Sequence, residues 1–269
     1  MKKLLILLLV PLFAVSQTNP NREYWQTNKW TAKKGMNAEF ESGVAKKTQK
    51  FNNTKATSFA TYQIITGADQ GKYMRVMGNR SAAAFDTEDS AEMAYWMKNV
   101  MPYTEKNDGN VRWWRMKGLG QNWNNDMPPA RFVKMTTYNL KRGKSSGFFR
   151  FWRNNVKLQK SLGYSGVSGV FMLQSGGQAF QVMEVEAFNS HAEGKGSFKN
   201  SDINYVEEYN KMFGWRTYDN DRAAYYASIE KWGITIETAE LNADDRFNPS
   251  MFEKVAIENK AHQYSNHKP

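Results

Sequence analysis

These 269 residues contain no cysteine and only three histidines. The first absence excludes a disulfide framework, a thiol nucleophile and every thiolate metal site. The second leaves His191 as the one histidine outside the C-terminal tail, which carries His262 and His267. Beyond the N-terminus there is no apolar run of the ~20 residues that a membrane-spanning helix needs. Apolar residues make up only 41% of the chain, and mean hydropathy is −0.72. A composition that lean would suit disorder, but Trp, Tyr and Phe reach 14%, and disordered chains are poor in aromatics. The chain reads as folded and soluble.

Residues 1–16 read as a secretory signal. Lys2 and Lys3 precede the apolar run Leu4–Val15, which Pro11 interrupts, and the small residues Ala14 and Ser16 precede Gln17. The run is too short for a spanning anchor, and without cysteine there is no site for a bacterial lipid anchor. The expectation is an exported protein, periplasmic or extracellular, whose mature chain starts at Gln17. The formal charge of +11 is dispersed, with Lys141-Arg142-Gly143-Lys144 as its densest cluster. Dispersed charge on an exported chain points to a solvated basic surface and away from nucleic acid.

Self-similarity runs along the chain. Trp30-Thr31-Ala32-Lys33-Lys34-Gly35, followed by Phe40, matches Tyr138-Asn139-Leu140-Lys141-Arg142-Gly143, followed by Phe148, at an offset of 108 residues. Gly71–Val76 matches Gly177–Val182 at 106, and Val111–Trp114 matches Ala223–Tyr226 at 112. On this alignment Trp30 should overlay Tyr138, and Trp113 should overlay Tyr225.

The element order agrees. In the first half, Glu23–Ala32 reads as a strand and Asn37–Phe51 as a helix. Ser58–Thr66 and Lys72–Met77 read as a hairpin. Met93, Trp96, Met97, Val100 and Met101 make the stripe of a second helix, and Val111–Lys117 a fourth strand. In the second half, Arg131–Leu140 is a strand, and Ser145 or Ser146 can cap a helix. Gly169–Leu173 and Ala179–Phe188 are strands, Ser201–Phe213 is a helix, and Ala223–Leu241 holds the last strand material. The fold class is α+β, with a ferredoxin-like β-α-β-β-α-β order in each half. The expected units are a signal at 1–16, repeats at 17–127 and 128–245 joined at Pro128-Pro129, and a tail at 246–269. Ser250-Met251-Phe252-Glu253 could open a short helix in that tail.

Two such units in one chain resemble the dimeric α+β barrel superfamily, as a pseudo-dimeric barrel made by a single polypeptide. The resemblance rests on element order and the repeat over residues 22–241. It implies two packed antiparallel sheets and a pocket at the sheet or beneath the helices. That superfamily includes cofactor-independent monooxygenases and haem proteins related to chlorite dismutase. No residue set here matches one of their catalytic motifs, so no catalytic role carries over and no cofactor is expected.

Candidate chemistry is sparse. Glu184 and Glu186 share a strand face near His191 and Glu193, a candidate cation cluster, but two glutamates on a strand edge are more often a solvated face, so no metal site is assigned. The first strands are more informative. Tyr24, Gln26, Asn28 and Trp30 fall on one face, and Phe132, Lys134, Thr136 and Tyr138 on the equivalent face of the repeat. Rings mixed with polar groups suit a partly hydrated pocket, with Arg75 and Gln181 on neighbouring strands. Lys134, whose counterpart Gln26 is neutral, is the expected anchor for an anionic group. The reading is a binding protein for a small aromatic or anionic ligand, acting as monomer or homodimer. The alternatives are an oxygenase-like or haem-linked enzyme and a cell-envelope interaction module.

Overall fold

The computed structural model describes residues 22–242 apart from 193 and 195. The signal segment, Glu193, and the tail with its Ser250–Glu253 pattern, His262 and His267 lie outside these residues. Eight strands and five α-helices follow one another as β1 (Tyr24–Ala32), α1 (Asn37–Phe51), β2 (Phe59–Thr66), β3 (Tyr73–Arg80), α2 (Ser90–Asn99) and β4 (Thr104–Arg115), then β5 (Phe132–Leu140), α3 (Ser145–Ser161), β6 (Val167–Ser175), β7 (Gln181–Phe188), α4 (Tyr205–Phe213), α5 (Thr217–Ala227) and β8 (Ile229–Leu241). The strands close into an antiparallel barrel in the order β1-β3-β2-β8-β5-β7-β6-β4.

Local chemistry sets the helix entries. The chain leaves β1 through a turn in which Met36 N–H donates to the Lys33 carbonyl, and it leaves β5 through the same turn, Lys144 N–H to the Lys141 carbonyl. Gly35 and Gly143 take the left-handed conformation there, at φ 79° and 73°. The Lys141–Gly147 segment is thus a glycine turn into a helix. The cap of α3 is Lys144, not a serine; Ser145 is already helical. Asp89 caps α2 by accepting from the Ala91 and Glu92 amides, and Asn204 caps α4 through the Glu207 amide.

Each strand divides its residues between the barrel interior and the helices. Tyr62, Ile64, Met74 and Trp113 meet Val133, Met135, Phe171, Met183, Ala239 and Leu241 inside the barrel. On the outside, Trp30, Tyr73 and Phe40 pack with Trp96 and Val100, while Tyr138, Leu140, Val170 and Val182 pack with Phe148. A network of ion pairs links β1, the β2–β3 hairpin, β4 and β8. Lys29 reaches Asp69 at 2.6 Å and Glu237 at 2.7 Å, and Lys72 joins Asp69 to Asp108. At another point Trp25, Trp123 and Phe171 meet ring to ring at 5.3–5.5 Å.

Two expectations are corrected. Tyr225 belongs to α5, not to a strand, so it cannot overlay Trp113. Val133 pairs with Ala239 as Trp25 pairs with Trp113, so the residue in the matching place is Ala239. The shift also slips along β3. Arg75 faces Asn28 across β1, whereas Thr136 faces Glu184, so the partner of Arg75 in the second half is Glu184, not Gln181. Trp30 and Tyr138 do hold matching places, each facing its helices. Trp123 packs on both Trp25 of β1 and Phe171 of β6, and Gln121 bridges to Ser168.

Candidate site on the helix-side faces

The residues singled out on β1 and β5 do lie on the helix-side faces, because the partners of Trp30 and Tyr138 are helical. Most of their rings are used up in packing. Trp30 lies 4.8 Å from Trp96, Tyr24 meets Phe85 at 6.2 Å, and Phe132 stacks on Phe188 at 5.4 Å. Tyr138 is enclosed by Phe148, Trp152 and Tyr225 at 5.2–6.1 Å. Burial pushes the Tyr138 hydroxyl well above the usual phenol range, with the charge of Glu184 adding to it, and burial pushes Tyr225 up to about 12. Both stay protonated donors, and Tyr138 points its hydroxyl at Glu184 Oε2, 3.5 Å away.

The second face carries charge of both signs. Lys134 pairs with Glu186 at 3.3 Å, directly opposite on β7. Glu184 lies on the same face two residues along β7, so among the described residues two carboxylates stand near this ammonium. Gln181 is not on this face: its amide donates to Asn139 at 2.9 Å, and the alternation along β7 turns it to the barrel side. His191 is exposed, with its ring 4.3 Å from Phe132 and 5.2 Å from Phe188. Among the described residues no three His, Asp or Glu side chains converge as a metal would require.

Strand β8 adds exposed apolar side chains to this face. Ile234 stands opposite Tyr138 and Ile236 opposite Thr136, and they are 41% and 52% exposed. Thr238 continues the row opposite Lys134. Sequence reading missed these residues because an alternating Ile-x-Ile on a strand signals a buried face.

The first face is built differently. Arg75 is buried, donating to Thr61 and Thr48, with its guanidinium 4.5 Å from the Phe59 ring and 5.0 Å from Trp96. It fastens α1 and α2 to the sheet. Beside it, Gln26 and Asn28 face Arg112 and Asn110 of β4. The Gln26 carbonyl accepts from Arg112 Nε at 3.3 Å, and Asn28 donates to Asn110 Oδ1 at 2.6 Å. Neither Arg112 nor Asn110 was singled out by sequence, because β4 begins on the polar stretch Thr104–Asn110 with no apolar period.

No family model and no curated protein matches this sequence. Solved structures do. A candidate chlorite dismutase is 11% identical, over 83% of this chain and 96% of that one, with a TM-score of 0.50. A candidate monooxygenase of Lactobacillus acidophilus is 10% identical over 82% and 94% (TM-score 0.49), and a haem-binding protein of Thermus thermophilus is 7% identical over 86% and 95% (0.43). At such identities the likeness is one of fold. The chain has the fold of the dimeric α+β barrel superfamily.

Proposed function

We propose that this is an exported protein that arose by duplication of a ferredoxin-like unit and binds a small aromatic molecule on the helix-side face of its second half. The observation that carries the binding reading is the pair Ile234 and Ile236, exposed on β8 beside Tyr138 and Thr136. A flat apolar ligand lying there would cover both isoleucines, and Lys134, Glu186 and Thr238 offer polar groups at its edge. The experiment uses an uncharged fluorophore, N-phenyl-1-naphthylamine. Its emission should rise on titration with the protein, and Ile236→Asp should weaken binding about tenfold or more, because a carboxylate would have to be desolvated beneath the ring. No rise, or an equal rise in the variant, would show the face to be inert.

The matching glycine turns at Gly35 and Gly143, and the like antiparallel pairing of β1 with β3 and of β5 with β7, support the duplication. Export rests on residues 1–16 alone. The intact mass of protein recovered from cells should correspond to a chain beginning at Gln17, and a retained leader would overturn it.

The similar structures suggest the enzyme reading, including haem. The described residues do not fit haem. His191 is an exposed residue stacked at the Phe132–Phe188 end of the sheet, and the space over Tyr138 is filled by Phe148, Trp152 and Tyr225. An axial ligand and a slot for the ring do not coincide, so no step is drawn through that group.

A further inference from the structure

The face of the first half has the chemistry the second lacks. Two successive cross-strand pairs, Gln26–Arg112 and Asn28–Asn110, stand side by side on β1 and β4, about 7 Å apart along the strands. Arg112 stacks its guanidinium on the Phe85 ring at 4.2 Å and uses Nε on Gln26. Its two terminal nitrogens make no hydrogen bond to a described residue, and among the described residues no carboxylate lies within ion-pair distance of it. That contrasts with Arg115, Arg131 and Arg150, each paired with an acid. A guanidinium held flat by a ring and fixed at Nε presents its remaining fork in one direction, the geometry that suits a carboxylate. The amide nitrogens of Gln26 and Asn110 are further donors beside it.

A second, independent feature lies next to this fork. Asn28 Oδ1 is buried and accepts no hydrogen bond. Turning both amides over would exchange the roles of Asn28 and Asn110 and leave a buried Asn28 nitrogen unpaired instead, so the deficit does not depend on which way the amide is drawn. A buried amide oxygen without a donor costs about 1–3 kcal/mol, and a ligand hydroxyl would relieve it.

We infer that the outer face of β1 and β4 is a second binding site, separate from the Ile234–Ile236 face, that takes a small carboxylate bearing a neighbouring hydroxyl. The carboxylate sits on the Arg112 fork with Gln26 and Asn110 as flanking donors, and the hydroxyl donates to Asn28 Oδ1. This site does not depend on the aromatic site being real, since the two share no residue.

The probe pair is mandelate and phenylacetate, identical except for the hydroxyl, titrated calorimetrically into the whole chain. Mandelate should bind more tightly than phenylacetate by about three- to tenfold, the worth of one neutral hydrogen bond. Arg112→Gln should weaken both by about ten- to a hundredfold. Asn28→Leu should abolish the preference for mandelate while leaving phenylacetate binding in place. Gln26→Leu serves as a second variant of the fork, should Arg112→Gln alter the fold by circular dichroism. Ile236→Asp should leave mandelate binding unchanged, which separates this site from the aromatic one. The inference is overturned if mandelate fails to bind, if Arg112→Gln and Gln26→Leu both bind it as the wild type does, or if inorganic phosphate binds equally well.

Discussion

At the scale of single residues, the clearest determinant is how a charge is partnered. Lys47 is buried between α1 and α2, yet it ends on Asn52 at 2.6 Å and on Glu92, so its burial is stabilised from both helices. Asp69 shows the same principle in the β2–β3 hairpin. Burial would raise its pKa, but hydrogen bonds from Lys29 and Lys72 outweigh burial and hold it at about 2. A carboxyl lowered from 3.8 to about 2 on folding contributes stability that is complete above pH 4 and lost as pH falls through that window. With solvent screening of this half-exposed group, the contribution is about 1 kcal/mol. Asp69→Asn should therefore lower unfolding free energy by about that amount at pH 7 and have little effect at pH 2, in urea titrations at the two values. An equal loss at both would assign the effect to the hairpin's shape and not to its charge.

At the scale of elements, the sequence discloses whatever is periodic and buried. The bounds of α1 are read directly, and those of β1 and β5 to within a residue, because these segments alternate or repeat against a filled core. Stripes mislead where the helix is only half covered. On α2, Trp96 and the capping Val100 are buried as the spacing predicts, but Met93 and Met97, from the same stripe, are exposed. The end of the second half is misread for a different reason. Ala223-Ala224-Tyr225-Tyr226 resembles strand material locally, but Tyr218, Asp221 and Tyr225 recur at helical spacing on α5. There Asp221 takes hydrogen bonds from Arg150, Asn154 and Tyr209. Only that longer period would have revealed the helix. The site was legible in part. Gln26, Asn28 and Lys134 stand half-buried on the helix-side faces, as strand alternation implies. Arg112, Asn110, Ile234 and Ile236 come from β4 and β8, whose register against the first strands no local pattern specifies.

At the scale of the whole molecule, the two halves meet through hydrogen bonds and a shared interior. Strand β2 pairs with β8 and β4 with β6, which closes the barrel. The interior is assembled from both sides, with Tyr62, Ile64, Met74 and Trp113 from the first half against Val133, Met135, Phe171 and Met183 from the second. Lys29 and Glu237 tie the halves together. Residues 22–127 alone would leave one face of a four-stranded sheet, including those first four side chains, uncovered. They would also leave the edges of β2 and β4 unpaired, a template for association. A second copy of the same fragment offers what the missing half supplied, an apolar face and two free edges, and a two-fold arrangement closes on itself. The fragment 22–127 should therefore sediment as a dimer and dissociate only with loss of structure, followed by the near-ultraviolet circular dichroism of its tryptophans. A fragment that is folded and monomeric at micromolar concentration would show that the shared interior is dispensable, and that each half is a domain in its own right.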